Sequence, residues 1–294
     1  MSYKKCKDVE VSIILPVYNG EKYLECSIKS CLNQTFENWE LLIIDDNSCD
    51  RSAEIAIKYE AQDRRIRYYK NDVNKKLPAT LNKGFSLARG KYLTWTSDDN
   101  YYRNDALEKM LKALEVGKAE FVFTAQSVVN EKDELIEEQR IFENPKHLIW
   151  RYNIVGACFL YSRKVYETIG DYDTTLFLGE DYDYWLRVFR VFKAVYLDEN
   201  LYVYRKHEGA LTATHRIGQH EALEKVLLKN LTDSKEMTNL DWLYVYRGLH
   251  RSRRMRKSLM EKFEYLPKWC YYKILDILLY KKQKDNFEEW KVEL

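Results

Sequence analysis

Thr96-Ser97-Asp98-Asp99-Asn100 places two adjacent carboxylates directly after a strand-like run, Lys91-Tyr92-Leu93-Thr94-Trp95. Two like charges at the end of a buried strand repel each other and resist desolvation, so holding them together calls for a counter-charge. A divalent cation supplies one, because hard cations take carboxylate oxygens and bridge them to substrate phosphates. A turn with two solvated Asp residues is the plain alternative. Asp45-Asp46-Asn47-Ser48 and Gly179-Glu180-Asp181 are further acidic clusters, and Tyr18-Asn19 is a polar pair that follows another apolar run.

The elements that must position these residues are legible as alternating patterns. Val11-Ser12-Ile13-Ile14-Leu15-Pro16 and Trp39-Glu40-Leu41-Leu42-Ile43-Ile44 are short apolar runs, as expected of buried parallel strands. Ile66–Tyr69 and Lys91–Thr96 predict two more strands. Helices are predicted over 21–34 with Tyr23, Leu24, Ile28, Cys31 and Leu32 on one face, over 52–59, and over 77–89 with Gly90 as the residue that ends it. Strand and helix in alternation imply a parallel sheet with covered faces, and ligands gather beyond the carboxyl ends of such strands. Tyr18-Asn19, Asp45-Asp46 and Asp98-Asp99 all fall at strand ends, so the topology brings them to one rim.

Beyond residue 120 the pattern is mixed. Strands are predicted at 120–125, 154–161 and 202–205, and a hairpin or excursion at 127–140. A short helix at 163–169 ends at Gly170, and a helix at 180–191 turns Tyr184, Val188 and Val191 inward.

The chain has 294 residues, 46% hydrophobic and 32% charged, with a net charge of +2 that makes no general case for nucleic acid. With 24 Tyr but only 10 Gly and 4 Pro, it is expected to be regular and well packed. Its six cysteines form no C-x-x-C pair, which argues against a zinc site and for free thiols in a reducing cytosol. The first residues carry no apolar signal segment, and no apolar run is long enough to span a membrane. Residues 242–284 hold twelve Lys and Arg against three acids, interleaved with Trp and Tyr. Such a segment packs as a solvated helical appendage or lies on an anionic membrane surface; nucleic-acid binding lacks a recognised motif. The expected division is a catalytic domain at 1–215 and a basic, aromatic-rich helical extension at 216–294.

Taken in order and spacing, Val11 to Asn19, Asp45 to Ser48, Ser97 to Asp99 and Gly179 to Asp181 resemble family 2 glycosyltransferases of the GT-A fold. The resemblance covers roughly residues 9–208. It implies an α/β fold, a mostly parallel sheet flanked by helices, that binds a nucleotide-sugar, usually a UDP-sugar, and transfers the sugar with inversion. The acceptor would be a glycan or lipid-linked glycan, at the inner face of the cell membrane.

By the same resemblance, Pro16, Tyr18, Asp45, Asp46 and Asp98 hold the nucleotide: Tyr18 lies against the base, Asp46 accepts from the uracil imide, Asp45 shares that role or shapes the turn, and Asp98 faces the ribose or a metal-bound water. Asp99 binds Mn2+ or Mg2+; in Tyr204-Arg205-Lys206-His207 either His207 is a further ligand, with His215 a weaker candidate, or a basic residue steadies the diphosphate. Ser97 stands where the metal motif usually has its first Asp. Asp181 is the expected general base and Asp183 its rival, a solvated helix residue otherwise. Trp185 is read as packing or as a wall of the acceptor pocket, and Lys76 as a basic group near the nucleotide. A sugar-1-phosphate nucleotidyltransferase would need a Gly-rich basic loop where Pro16 to Glu21 stand. A non-catalytic relative acting as a membrane scaffold is the remaining alternative.

Overall fold

The computed structural model describes residues 8–231, 237–238, 241–242, 244–245, 247–249 and 291–292. The first part alternates as the sequence predicts: β1 (Val11–Val17), α1 (Leu24–Leu32), β2 (Trp39–Asp45), α2 (Ser52–Gln62), β3 (Ile66–Lys70), α3 (Lys76–Leu87) and β4 (Tyr92–Trp95). β5 (Tyr101–Tyr102) and α4 (Ala106–Gly117) follow, then β6 (Phe121–Val129), β7 (Leu135–Gln139), α5 (Pro145–Leu148), β8 (Phe159–Ser162) and α6 (Arg163–Ile169). The described chain closes with α7 (Glu180–Val191), β9 (Ala194–Arg205), α8 (Leu211–Thr214), α9 (Arg216–Leu231) and β10 (Lys291–Val292).

These strands make one mixed sheet in the order β10-β9-β6-β8-β4-β1-β2-β3, with β5 paired to β9 and β7 to β6. The β3-β2-β1-β4 half is parallel; β8 runs antiparallel between β4 and β6. Both faces are covered, which the alternation along β1 and β2 makes plain. Ile14, Leu42 and Ile44 pack into the layer under α3 and α7, while Val11, Ile13, Leu15, Leu41 and Ile43 pack into the layer with α1 and α4.

Several expectations are corrected. α3 stops at Leu87, with Ala88 already extended (ψ 140°), so Gly90 does not cap it. Gly90 instead lets the chain approach β1: a Cβ there would sit 2.5 Å from the Ser12 amide nitrogen. The strand expected at 154–161 is only β8, because a turn through Gly156 (φ +65°) occupies the preceding residues. Val191 is 58% exposed, since α7 ends there, and Phe192 takes the apolar contact in its place. The open segment at 127–140 is the β6–β7 hairpin. Gly170 does end α6, in a conformation (φ 78°) that favours glycine.

The boundary expected at 215/216 falls between α8 and α9. α9 buries Val226 and Leu227 in the core shared with α7, and Tyr244 and Val245 join it. The basic stretch 242–284 lies, but for 242, 244–245 and 247–249, outside the described residues. No helix among the described residues is long and apolar enough to cross a membrane.

Candidate active site

The carboxyl ends of β1, β2 and β4 open onto a cleft of about 1220 Å³, whose far wall is built by the loop before α7, the N-terminus of α7 and the residues after β9. Pro16, Tyr18, Asp46, Asp98, Asp99, Asp181 and His207 all line it. Asp45 does not. It points into the turn after β2, where its carboxylate accepts from the Ser48 backbone N–H (2.7 Å) and the Tyr68 hydroxyl (2.7 Å).

The floor begins with two loops laced together. Asn19 adopts a left-handed conformation (φ 54°) that Asn tolerates. Its backbone N–H donates to Ser48 Oγ, the Gly20 N–H donates to Ser52 Oγ, and the Glu21 N–H donates to Asp50. This leaves Tyr18 half exposed (53%) at the mouth of the cleft, free to lie against a planar ligand. Asp46 organises the next loop. It accepts from Asn71 Nδ2 (2.8 Å) and from the backbone N–H groups of Lys75 (2.8 Å) and Lys76 (2.9 Å). Lys76 is thereby held at φ 69° with its ammonium 6.0 Å from the Phe177 ring, and both residues line the cleft.

The Ser97-Asp98-Asp99-Asn100 turn is clamped from two elements, α1 and β9. Ser27 of α1 donates to the Ser97 carbonyl (2.8 Å), and the Tyr202 hydroxyl of β9 meets Thr96 Oγ1 (2.6 Å). The Arg205 backbone N–H donates to Asn100 Oδ1 (2.7 Å). Arg205 itself is a buried cation whose Nε donates to the Asp99 carbonyl (3.2 Å) and whose guanidinium pairs with Asp133 (2.8 Å) and lies over Tyr23. Asp98 packs directly on Gly20, where a Cβ would come within 2.1 Å of Oδ2. Burial, and then the neighbouring Asp99 charge, push the Asp98 carboxyl up to about 8, although the Tyr18 backbone N–H donates to it.

Asp99 Oδ2 meets His207 Nε2 at 3.0 Å, and Asp99 Oδ1 is buried with no hydrogen-bond partner. An unpartnered carboxylate oxygen beside an imidazole, facing a cleft, is a donor set that suits a divalent cation. Among the described residues no three His, Cys, Asp or Glu side chains are grouped to hold an ion by themselves. His215 stands further along the wall, edge-on to Phe177 and hydrogen-bonded to Thr214 Oγ1 (2.8 Å).

Across the cleft, Asp181 sits in the first turn of α7. Its Oδ1 accepts from the Tyr182 backbone N–H and its Oδ2 from Asn153 Nδ2, both at 2.7 Å. Burial raises its pKa; burial and then the Asp181 charge raise that of the adjacent Glu180, which is also in the wall. Asp183 is no solvated helix residue. It is fully buried and faces away, bonded to Arg187 (2.9 Å), Lys229 (3.0 Å) and Asn230 (2.9 Å). Trp185 is core, stacked on Phe121 at 5.0 Å and edge-on to Phe159 at 4.5 Å, so it walls no pocket.

Sequence reasoning missed Asn153, Gln126, Phe177, Leu211, Gln219 and Leu223, all of which line the cleft. None sits in a recognisable motif; their place follows from the Gly156 turn and from the chain folding back after β9.

The glycosyl transferase family 2 profile matches residues 12–180, more than half of the chain. The chain belongs to this glycosyltransferase family. An uncharacterized glycosyltransferase of Rickettsia typhi is 29% identical over 235 residues, covering 76% of this chain and 72% of the relative. An uncharacterized glycosyltransferase of Bacillus subtilis, EpsJ, is 31% identical over 223 residues, 69% of this chain and 62% of its own length. Among solved structures, S. aureus TarS (residues 1–349) in complex with UDP-GlcNAc superposes with a TM-score of 0.69 at 16% identity, over 90% of this chain and 79% of that one. The mannosyltransferase PcManGT of Pyrobaculum calidifontis, in complex with GDP-Man and Mn2+, gives 0.64 at 15% identity, over 94% and 84%. These likenesses establish the GT-A fold of this family 2 glycosyltransferase.

Proposed function

We propose that this family 2 glycosyltransferase is a metal-dependent, inverting enzyme that moves a sugar from a UDP-sugar to a hydroxyl of a glycan or lipid-linked glycan. The observation that carries the proposal is the meeting of Asp46, Asp99 and Asp181, from strand ends and a helix start far apart in sequence, on one cleft. The UDP and UDP-GlcNAc bound to TarS and the GDP-Man and Mn2+ bound to PcManGT support a nucleotide-sugar donor and a divalent cation.

In this reading Tyr18 stacks on the uracil. Asp46, already fixed by three donors, presents its remaining lone pairs to the imide N–H, an ionised and therefore strong acceptor. Asp98, set against Gly20, faces the ribose. Asp99 and His207 would hold Mn2+ or Mg2+. When bound, the cation neutralises the charge that develops on the departing diphosphate. Asp181 takes the proton from the acceptor hydroxyl as that oxygen attacks the anomeric carbon from the face opposite UDP, which inverts the centre. A carboxylate with a pKa raised by burial is a better base than a solvated one.

The acceptor has a path of its own. A groove of about 860 Å³ under the β6–β7 hairpin joins the cleft at Tyr204 and His207, and Gln126, Asn130 and Gln139 give it the amide donors and acceptors that sugar hydroxyls use. Contact of the basic stretch 242–284 with anionic lipid would suit a lipid-linked acceptor at the cytoplasmic face of the membrane. Purified protein with Mn2+ is expected to hydrolyse UDP-GlcNAc or another UDP-sugar slowly, and Asp99→Ala to abolish this. Absence of both turnover and metal-dependent UDP binding would end the proposal.

A further inference from the structure

The loop at 153–157, which includes the first residues of the strand expected at 154–161, is turned out of the sheet and held against the cleft by side-chain bonds. Gln126 of β6 accepts from the Ala157 backbone N–H through Oε1 (3.1 Å) and donates through Nε2 to Gln139 of β7 (2.6 Å). Gly156 lies so close to Gln126 that a Cβ there would be 2.9 Å from Oε1, and its φ of +65° suits only glycine well. The loop is thus hung from β6 and β7 by an amide relay, and its leading residue is Asn153.

Asn153 has its amide orientation fixed by two bonds. Its Oδ1 accepts from the Val155 backbone N–H (3.2 Å), which leaves Nδ2 to donate to Asp181 Oδ2 (2.7 Å). A flipped amide would turn an oxygen toward a carboxylate and lose both bonds. Each Asp181 oxygen therefore receives one donor from the protein and keeps lone-pair capacity for the acceptor hydroxyl. We propose that Asn153 is a positioning residue for the general base: it fixes the direction of the Asp181 carboxylate and favours its ionised form.

This rests on the reading of Asp181 as the base. The other groups close enough to feel the Asp181 charge are Glu180 on the same helix, Tyr172 and Tyr204. Glu180 adds a like charge when ionised, the Tyr172 hydroxyl is bonded to Trp95 Nε1 and the Tyr204 hydroxyl to Thr212 Oγ1, so the side-chain donor to Asp181 is Asn153. Losing one hydrogen bond to the charged form raises a carboxyl pKa by about 1–2 pH units. An acceptor-only carboxylate in the same place raises it further by like-charge repulsion.

The test compares wild type, Asn153→Ala and Asn153→Asp by two readouts. In protein labelled with 13Cγ-aspartate, the Asp181 resonance is the one missing from Asp181→Asn, and its titration midpoint is followed by NMR. The expected order of midpoints is wild type, then Asn153→Ala higher by about 1–2 units, then Asn153→Asp higher still. With UDP-GlcNAc and Mn2+, the acid limb of the kcat profile moves up in the same order, while the donor KM is unchanged. An unchanged NMR midpoint in Asn153→Ala overturns the proposal, as does a variant that alters only thermal stability or KM. If Asp181→Asn turns over like wild type, the base reading fails instead. Where turnover is too slow to profile, the NMR midpoints decide.

Discussion

Asp181 and Asp183 differ by two positions on one helix and end in opposite environments. Asp183 is locked to Arg187, Lys229 and Asn230 in the core, whereas Asp181 faces the cleft. Removing one partner of a buried ion pair leaves the other charge uncompensated, so Asp183→Ala should cost about 3–5 kcal/mol in denaturant unfolding. Asp181→Asn should leave the unfolding midpoint near wild type and lower turnover by at least about a hundredfold, the usual scale of general-base catalysis. If the two variants behaved alike, the assignment of one to structure and one to chemistry would be wrong. The sequence ranks Asp181 ahead of its rival but cannot show why, because Lys229 and Asn230 come from α9, whose contact with α7 is tertiary. Trp185 tells the same story: its aromatic partners Phe121 and Phe159 are some sixty and twenty-six residues away.

At the scale of elements, the parallel half of the sheet is written locally. β1 and β2 are apolar runs buried on both faces, and that signal needs no partner to be read. The turns that follow them are also legible, since Asn19 after β1 and Asn47 after β2 supply left-handed residues. α4 escaped assignment although Leu107, Met110 and Leu114 keep helical spacing and are buried. The 153–157 loop and the role of Gly90 were not legible, since both depend on how close another strand comes. Gly20 gives the sharpest element-level prediction. Its bare backbone makes room for the Asp98 carboxylate, so Gly20→Ala forces that carboxylate aside. Mn2+-dependent UDP binding, followed by calorimetry, should weaken at least about tenfold, equivalent to about 1.4 kcal/mol. Binding at wild-type strength would mean that Asp98 stands clear of the ligand.

For the molecule as a whole, the acidic rim makes stability depend on pH and metal together. Asp98 holds its proton up to about 8 in the folded protein, and the unfolded chain releases it near 4. The folded state binds more protons in that window, so this contribution is full at low pH and is lost as pH rises toward 8. Asp173, which Lys229 and Thr175 hold down at about 2 against the effect of burial, acts oppositely, but only on acidification below the ordinary carboxylate range. Metal-free protein should therefore show a falling Tm from pH 6 to 8, and Mn2+ should restore it most at pH 8. Asp98→Asn should flatten the fall; an unchanged slope would remove Asp98 as its source. Motif order made the family and the fold readable over the first two hundred residues. Where the chain returns after β9 to roof the cleft was not readable, because Leu211, Gln219 and Leu223 carry no pattern tied to a nucleotide site.

The central claim is that acidic residues from separate strand ends serve one cation and one diphosphate. Isothermal titration of UDP into the protein with and without Mn2+, repeated on Asp99→Ala, tests it most directly. Binding that requires Mn2+ in the wild type and disappears in Asp99→Ala is the predicted result. UDP binding of equal strength without metal, or undiminished in Asp99→Ala, would contradict it.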